Sequence, residues 1–96
     1  MSKARLLIVE DDRPLSEVLA YNLRQAGYEV IVASDGREGL RQAELTVPDL
    51  VVLDLMLPLI DGLEVCRRLR YQPATQNLLI LMLTAKAEEA DEDVGV

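Results

Sequence analysis

The chain contains no histidine, no phenylalanine and no tryptophan, and only one cysteine, Cys66, among its 96 residues. Without histidine there is no Ser-His-Asp or Cys-His triad, no imidazole metal ligand and no phosphohistidine within this chain. A single thiol excludes an intrachain disulfide, a Cys-ligated zinc cluster and an iron–sulfur cage. A metal must then be held mainly by oxygens, which selects hard cations such as Mg²⁺, Mn²⁺ or Ca²⁺. Tyrosine supplies the only aromatic rings, three of them, so the stacking surface of single-strand nucleic-acid binders is missing too. Met1-Ser2-Lys3-Ala4-Arg5 leads into an apolar run too short for a signal peptide or a membrane span. The expectation is a soluble, cytoplasmic protein with no membrane partner.

Half of the residues are apolar and 28% are charged, the balance of a globular domain. The length suits one domain and is too short for two. Ten basic residues stand against seventeen acidic ones, for a net charge of −7. Five of those acids, Glu88, Glu89, Asp91, Glu92 and Asp93, crowd the C-terminal end. The remainder is close to neutral. That sign argues against direct nucleic-acid binding, which needs clustered Lys and Arg to neutralise phosphates.

Short solid apolar runs alternate with helical stripes. Leu6-Leu7-Ile8-Val9 reads as a strand ending in Glu10-Asp11-Asp12. Leu15, Val18, Leu19, Leu23 and Ala26 then recur at helical spacing. Asp12 is placed to cap that helix, Pro14 suits its first turn and Gly27 its end. Tyr28 to Ala33 reads as a second strand. Asp35-Gly36 opens a second helix carrying Leu40, Ala43 and Val47, and Pro48 closes it. Asp49 to Asp54 is a third strand, and Asp61-Gly62 starts a third helix with Leu63, Cys66 and Leu69 inward. Leu78 to Leu83 is a fourth strand ending at Thr84-Ala85, with helical character again from Lys86.

Strands apolar on both faces and separated by helices specify an α/β, doubly wound parallel sheet. The expected strand order is 2-1-3-4, with a ligand crevice outside the C-terminal ends of strands 1 and 3, where the order reverses. Glu10, Asp11 and Asp12 sit at one lip, Asp54 at the other, and Thr84 ends strand 4. Two carboxylates about 4 Å apart repel by roughly 4 kcal/mol at an effective dielectric near 20. Such a cluster raises its own pKa values unless a cation relieves it. Mg²⁺ does so by taking one or two carboxylates and keeping open positions for phosphate oxygens. Asp54 is then a candidate nucleophile toward phosphorus, and the Thr84 hydroxyl a candidate partner for a phosphoryl oxygen. Asp12 reads as a cap, Cys66 as a small core residue, and the tyrosines as rim or core.

Taken in order, these residues resemble the receiver domain of two-component response regulators, from Leu6 to about Ala90. The carriers are Ile8-Val9-Glu10-Asp11-Asp12, Ala33 to Leu40, Pro48 to Asp54, Leu57-Pro58, Asp61 to Cys66 and Leu83-Thr84-Ala85-Lys86. The resemblance implies a flavodoxin-like fold and a phosphoacceptor, Asp54, that receives its phosphoryl group from a sensor histidine kinase. It implies that Asp11 ligates Mg²⁺ (or Mn²⁺ as a substitute) directly and Glu10 through water, with Asp54 and the Met56 backbone carbonyl completing the set. It makes Thr84 the switch hydroxyl. The Leu55–Pro58 and Leu83–Glu89 segments resemble receivers joined to winged-helix DNA-binding domains, so an effector outside this chain and a homodimer are further expected partners. The role is that of a switch assisting its own phosphorylation, not a turnover enzyme.

Two features depart from the family pattern. Leu59 follows the loop proline where glycine is usual, so the loop is expected to turn differently or to hold a negative φ there. The family's fifth strand, the lysine ending it, its switch aromatic and the fifth helix have no counterpart, and Lys86 is not that lysine. The chain is therefore expected to be one receiver domain over 1–96, incomplete at its C-terminus. Its 86–96 segment would be a frayed fourth helix, and Leu78–Leu83 an edge strand. The alternatives are a receiver-like interaction module without phosphotransfer and a Mg²⁺-dependent phosphohydrolase of the haloacid-dehalogenase type. The phosphohydrolase needs a second Asp two residues after its nucleophile, whereas Asp11 is followed by Asp12-Arg13. No Gly-rich phosphate loop is present for a nucleotide hydrolase.

Overall fold

Each solid apolar run forms a five-residue strand and each amphipathic stretch between them forms a helix. The structure, a computed structural model, describes residues 3–83. In chain order these are β1 (Arg5–Val9), α1 (Arg13–Gln25), β2 (Glu29–Ala33), α2 (Gly36–Thr46), β3 (Leu50–Asp54), α3 (Gly62–Tyr71) and β4 (Leu79–Leu83). The strands make one parallel sheet in the order β2-β1-β3-β4, as the alternation of runs and stripes requires. Thr84, Lys86 and the expected 86–96 helix lie outside the described residues.

Side chains alternate across the two sheet faces. Leu7, Val9, Val51 and Leu53 join Ala43 of α2 and Val65 and Leu69 of α3 in the larger core. Ile8, Val30 and Val52 pack on the other face against Ala20, Leu19 and Leu23 of α1. The central strands are thus buried on both sides. Among the described residues β4 is an edge strand, and Leu79 and Leu81, on the α1 side, stay exposed.

The helix boundaries follow the capping residues. Asp12, Asp35 and Asp61 each accept a hydrogen bond from the backbone N–H three residues on, at Leu15, Glu38 and Glu64. Gly27, with φ +102°, takes the left-handed turn that releases α1 into β2. On α3, the paired guanidiniums of Arg67 and Arg68 hold the Glu64 carboxyl down to about 2.

Several side chains fall elsewhere than the spacing suggests. Leu63 points to solvent, 67% exposed, and Val65 is the buried residue of that turn. On α1 the inward face centres on Ser16, Leu19, Ala20 and Leu23, leaving Leu15, Val18 and Ala26 exposed. The sheet decides which stripe is covered, and α1 carries more apolar residues than one contact face can hold. The tyrosines lie at the rim, and Cys66 is half-buried against the larger core.

Leu59 adopts φ +69°, not a negative value. Leu57 is buried in the core before it, and the Gly62 N–H is bonded to the Leu55 carbonyl at 3.0 Å after it. Between those anchors the chain reverses in a three-residue turn, closed by the Ile60 N–H on the Pro58 carbonyl at 2.7 Å.

Val47 caps α2 with φ +43° and is exposed, not part of the helical stripe. Pro48 disfavours the right-handed helical region for the residue before it. The chain exits through the left-handed region instead, with the Val47 N–H on the Ala43 carbonyl at 2.9 Å. A β-branched side chain there carries backbone strain. Val47→Gly is expected to stabilise the fold by about 0.5–1 kcal/mol, the relief of strain exceeding glycine's added unfolded-state entropy. A urea midpoint that rises at constant m would show this; a lower midpoint would contradict it.

Candidate functional site

The parallel pairing of β1 and β3 sets Val9 opposite Leu53. The next residues, Glu10 and Asp54, therefore leave the sheet side by side. Glu10 adds one more rung to the sheet, its N–H on the Ala33 carbonyl at 3.0 Å, and Leu55 does the same on Leu83 at 3.0 Å. Both carboxylates are held where the backbone is still regular, and both are buried, Glu10 at 4% and Asp54 at 5% exposure. Asp11, the next residue, is exposed. One carboxylate oxygen from each of Glu10, Asp11 and Asp54 lies within 4.8 Å of the others.

The local backbone grips two of these side chains. The Asp12 N–H donates to Glu10 Oε2 at 3.0 Å, and the Met56 N–H donates to Asp54 Oδ1 at 3.0 Å. The N-terminus of α3 packs directly on the end of β3. A Cβ on Gly62 would overlap the Asp54 carbonyl oxygen and lie 2.7 Å from Leu55 Cα. Only glycine permits this approach, which closes the 55–61 loop against the end of β3.

Burial pushes the Glu10 carboxyl up to about 7. The Asp12 N–H opposes that rise, while Asp54 beside it and Asp11 reinforce it. The donor set is all oxygen, with two buried carboxylates and one open to solvent, and suits a hard divalent cation that keeps part of its water shell. Cys66 and the tyrosines are not part of this cluster.

The residues Glu10, Asp11 and Asp54 are thus together as the alternating runs suggest. Asp12 caps α1 and lies outside the trio. Met56 contributes its N–H to Asp54. Two features were not read from the sequence. The Asp61-Gly62 pair reads as a helix start, and the close approach behind it becomes visible only in three dimensions. Arg13 lines a cleft of about 750 Å³ between α1 and β2 together with Glu10 and Asp11. Its signal in the sequence is a cation in a first helical turn that holds no acid.

Comparison with known proteins gives a consistent result. The profile of the response regulator receiver domain matches residues 6–95. The alkaline phosphatase synthesis transcriptional regulatory protein PhoP of Bacillus subtilis is 51% identical over 92 residues, covering 96% of this chain and 38% of that protein. The DNA-binding dual master transcriptional regulator RpaA of Synechocystis sp. is 45% identical over 91 residues, covering 95% of this chain and 38% of that protein. The chain therefore spans about two fifths of the length of these curated relatives. Among solved structures, the N-terminal domain of a response regulator receiver protein from Methanoculleus marisnigri aligns with TM-score 0.85 at 40% identity, covering 95% of this chain and 76% of that one. The receiver domain of a sensor histidine kinase from Pseudomonas aeruginosa, solved with a magnesium ion coordinated in its active-site cleft, aligns with TM-score 0.86 at 33% identity, covering 96% and 75%.

The raised Glu10 value carries a stability consequence with a definite sign. Below about pH 4.5 Glu10 is protonated whether the chain is folded or not. Between there and about 7 the unfolded chain gives up the proton while the fold retains it, so metal-free stability falls as pH rises. Relative to Glu10→Gln, the native chain should lose up to about 3 kcal/mol across that window. Chemical denaturation of both proteins at several pH values in EDTA checks this; parallel pH curves would contradict it.

Proposed function

Because the chain belongs to the receiver-domain family of response regulators, we propose that it is a phosphoacceptor module in which Asp54 takes a phosphoryl group from a sensor histidine kinase. The observation that supports this reading is the meeting of Asp54 with Glu10 and Asp11 at the ends of two adjacent parallel strands. Receiver domains are signalling modules, and the role proposed for this chain is that of a switch.

The Met56 N–H fixes one Asp54 oxygen and with it the side-chain rotamer. The second oxygen is the nucleophile. It attacks phosphorus as the P–N bond to the donor imidazole breaks, and the imidazole nitrogen leaves with the electron pair. The product is an aspartyl phosphate. Glu10, Asp11, Asp54 and the Met56 carbonyl would hold Mg²⁺, which when bound supplies charge neutralisation for the incoming phosphoryl oxygens. Glu10 is pre-aimed by its bond from the Asp12 N–H, and Asp11, exposed, faces the solvent from which the donor arrives. Thr84, next in sequence after the Leu83 that pairs with Asp54, is the residue we propose as the switch hydroxyl toward a phosphoryl oxygen.

The PhoP and RpaA relatives are transcriptional regulators by name and are longer than this chain. An attached DNA-binding effector is the output we propose, with the receiver surface following β4 as its control point. No helix among the described residues is long and apolar enough to cross a membrane.

Intact mass after incubation with a small phosphodonor and Mg²⁺ tests the assignment. A single phosphoryl adduct is expected, lost in Asp54→Asn and lost in EDTA. An adduct that persists in Asp54→Asn would remove Asp54 from its role, and no adduct in any sample would favour a receiver-like module that only binds partners.

A further inference from the structure

The cleft between α1 and β2 is bordered by two of the three clustered carboxylates, Glu10 and Asp11. Glu10, Asp11 and Arg13 line it near the carboxylate trio, and Tyr21 and Arg24 lie further along α1. Arg13 is set apart by where it lies. It occupies the first turn of α1, directly after the capping Asp12 and on the same cleft wall as Glu10 and Asp11. Among the described residues it also forms no ion pair, although Glu17 stands one turn along the same helix. Arg5, Arg41, Arg67 and Arg68 have carboxylate partners and Arg24 and Arg70 are bonded to backbone carbonyls; Arg37, like Arg13, has no ion pair among these residues, but it does not line this cleft. A guanidinium with no ion pair among the described residues thus lies on the wall that the cleft shares with Asp11.

The trio poses an electrostatic problem that such a charge answers. A phosphodonor arrives as an anion at a site carrying several carboxylates. A divalent ion offsets only part of that charge, and the donor's far end projects away from it. A fixed cation at the mouth raises the local concentration of an anionic donor and orients it.

We propose that Arg13 is a phosphodonor-recognition residue, whose guanidinium engages dianionic acyl phosphates at the cleft mouth and favours them over donors of lower charge. This rests on Asp54 being the phosphoacceptor. With acetyl phosphate, the Asp54 oxygen forms the new O–P bond while the bond from phosphorus to the acetate oxygen breaks. Acetate departs with the electron pair, and no proton is transferred. The departing acetate is an anion, a partner that the Arg13 guanidinium can receive. With phosphoramidate, the P–N bond breaks and neutral ammonia leaves, so the cation has no anion to receive.

The test compares the rate of adduct formation from acetyl phosphate and from phosphoramidate, by intact mass at fixed Mg²⁺. The variants are Arg13→Ala, Arg13→Lys and Arg13→Glu. Arg13→Ala should slow labelling by acetyl phosphate roughly 5-fold through a higher half-saturating concentration, change phosphoramidate labelling by less than about 2-fold, and lose its effect in high salt. Arg13→Lys should recover most of the rate, and Arg13→Glu should be slower than Arg13→Ala. Equal effects on both donors, or none on either, would overturn the proposal. Failure of Asp54 labelling in the native protein would instead remove the reading on which it rests.

Discussion

Two carboxylates buried side by side at the ends of neighbouring parallel strands are the constraint on which the site depends. The β1–β3 register leaves Glu10 and Asp54 no other relative position. Burial makes their charges costly, and the proton retained on Glu10 to about pH 7 is the fold's response when no cation is present. The surrounding backbone is arranged around that cost. Asp12 and Met56 each spend an N–H on one of the carboxylates, and Gly62 gives up a side chain so that α3 can sit against the end of β3. A cation and a phosphoryl group suit this arrangement because they bring the charges it lacks.

Much of this could be read along the chain. Solid runs of four to six apolar residues alternating with helical stripes fix a parallel sheet, because only strands covered on both faces need such runs. Three aspartates mark three helix starts, and each caps its helix in the structure. Glu10, Asp11 and Asp54 converge because the strand order does, and that order follows from the length and hand of the crossovers.

What could not be read depends on contacts between elements. Leu63 and Val65 are equally apolar, and only the position of α3 on the sheet buries the second and exposes the first. Leu15 and Val18 fit a stripe that α1 does not turn inward. The left-handed backbone at Leu59 and Val47 follows from anchors on either side, the buried Leu57 and bonded Gly62 in one case and Pro48 in the other. A leucine or a valine carries no mark of that strain in its identity. Thr75 is a further case: fully buried, it donates its hydroxyl to the Leu69 carbonyl at 2.7 Å and closes α3, a role its polar neighbours conceal.

The proposed chemistry requires one divalent ion shared by the acids of both strands. The Asp12 and Met56 amides report on this directly, since one is bonded to Glu10 and the other to Asp54. In a Mg²⁺ titration followed by amide NMR, both signals should move together and saturate with one dissociation constant at one ion per chain. Signals that stay still, or that drift without saturation and with different midpoints, would show that the carboxylates of β1 and β3 do not form a common site.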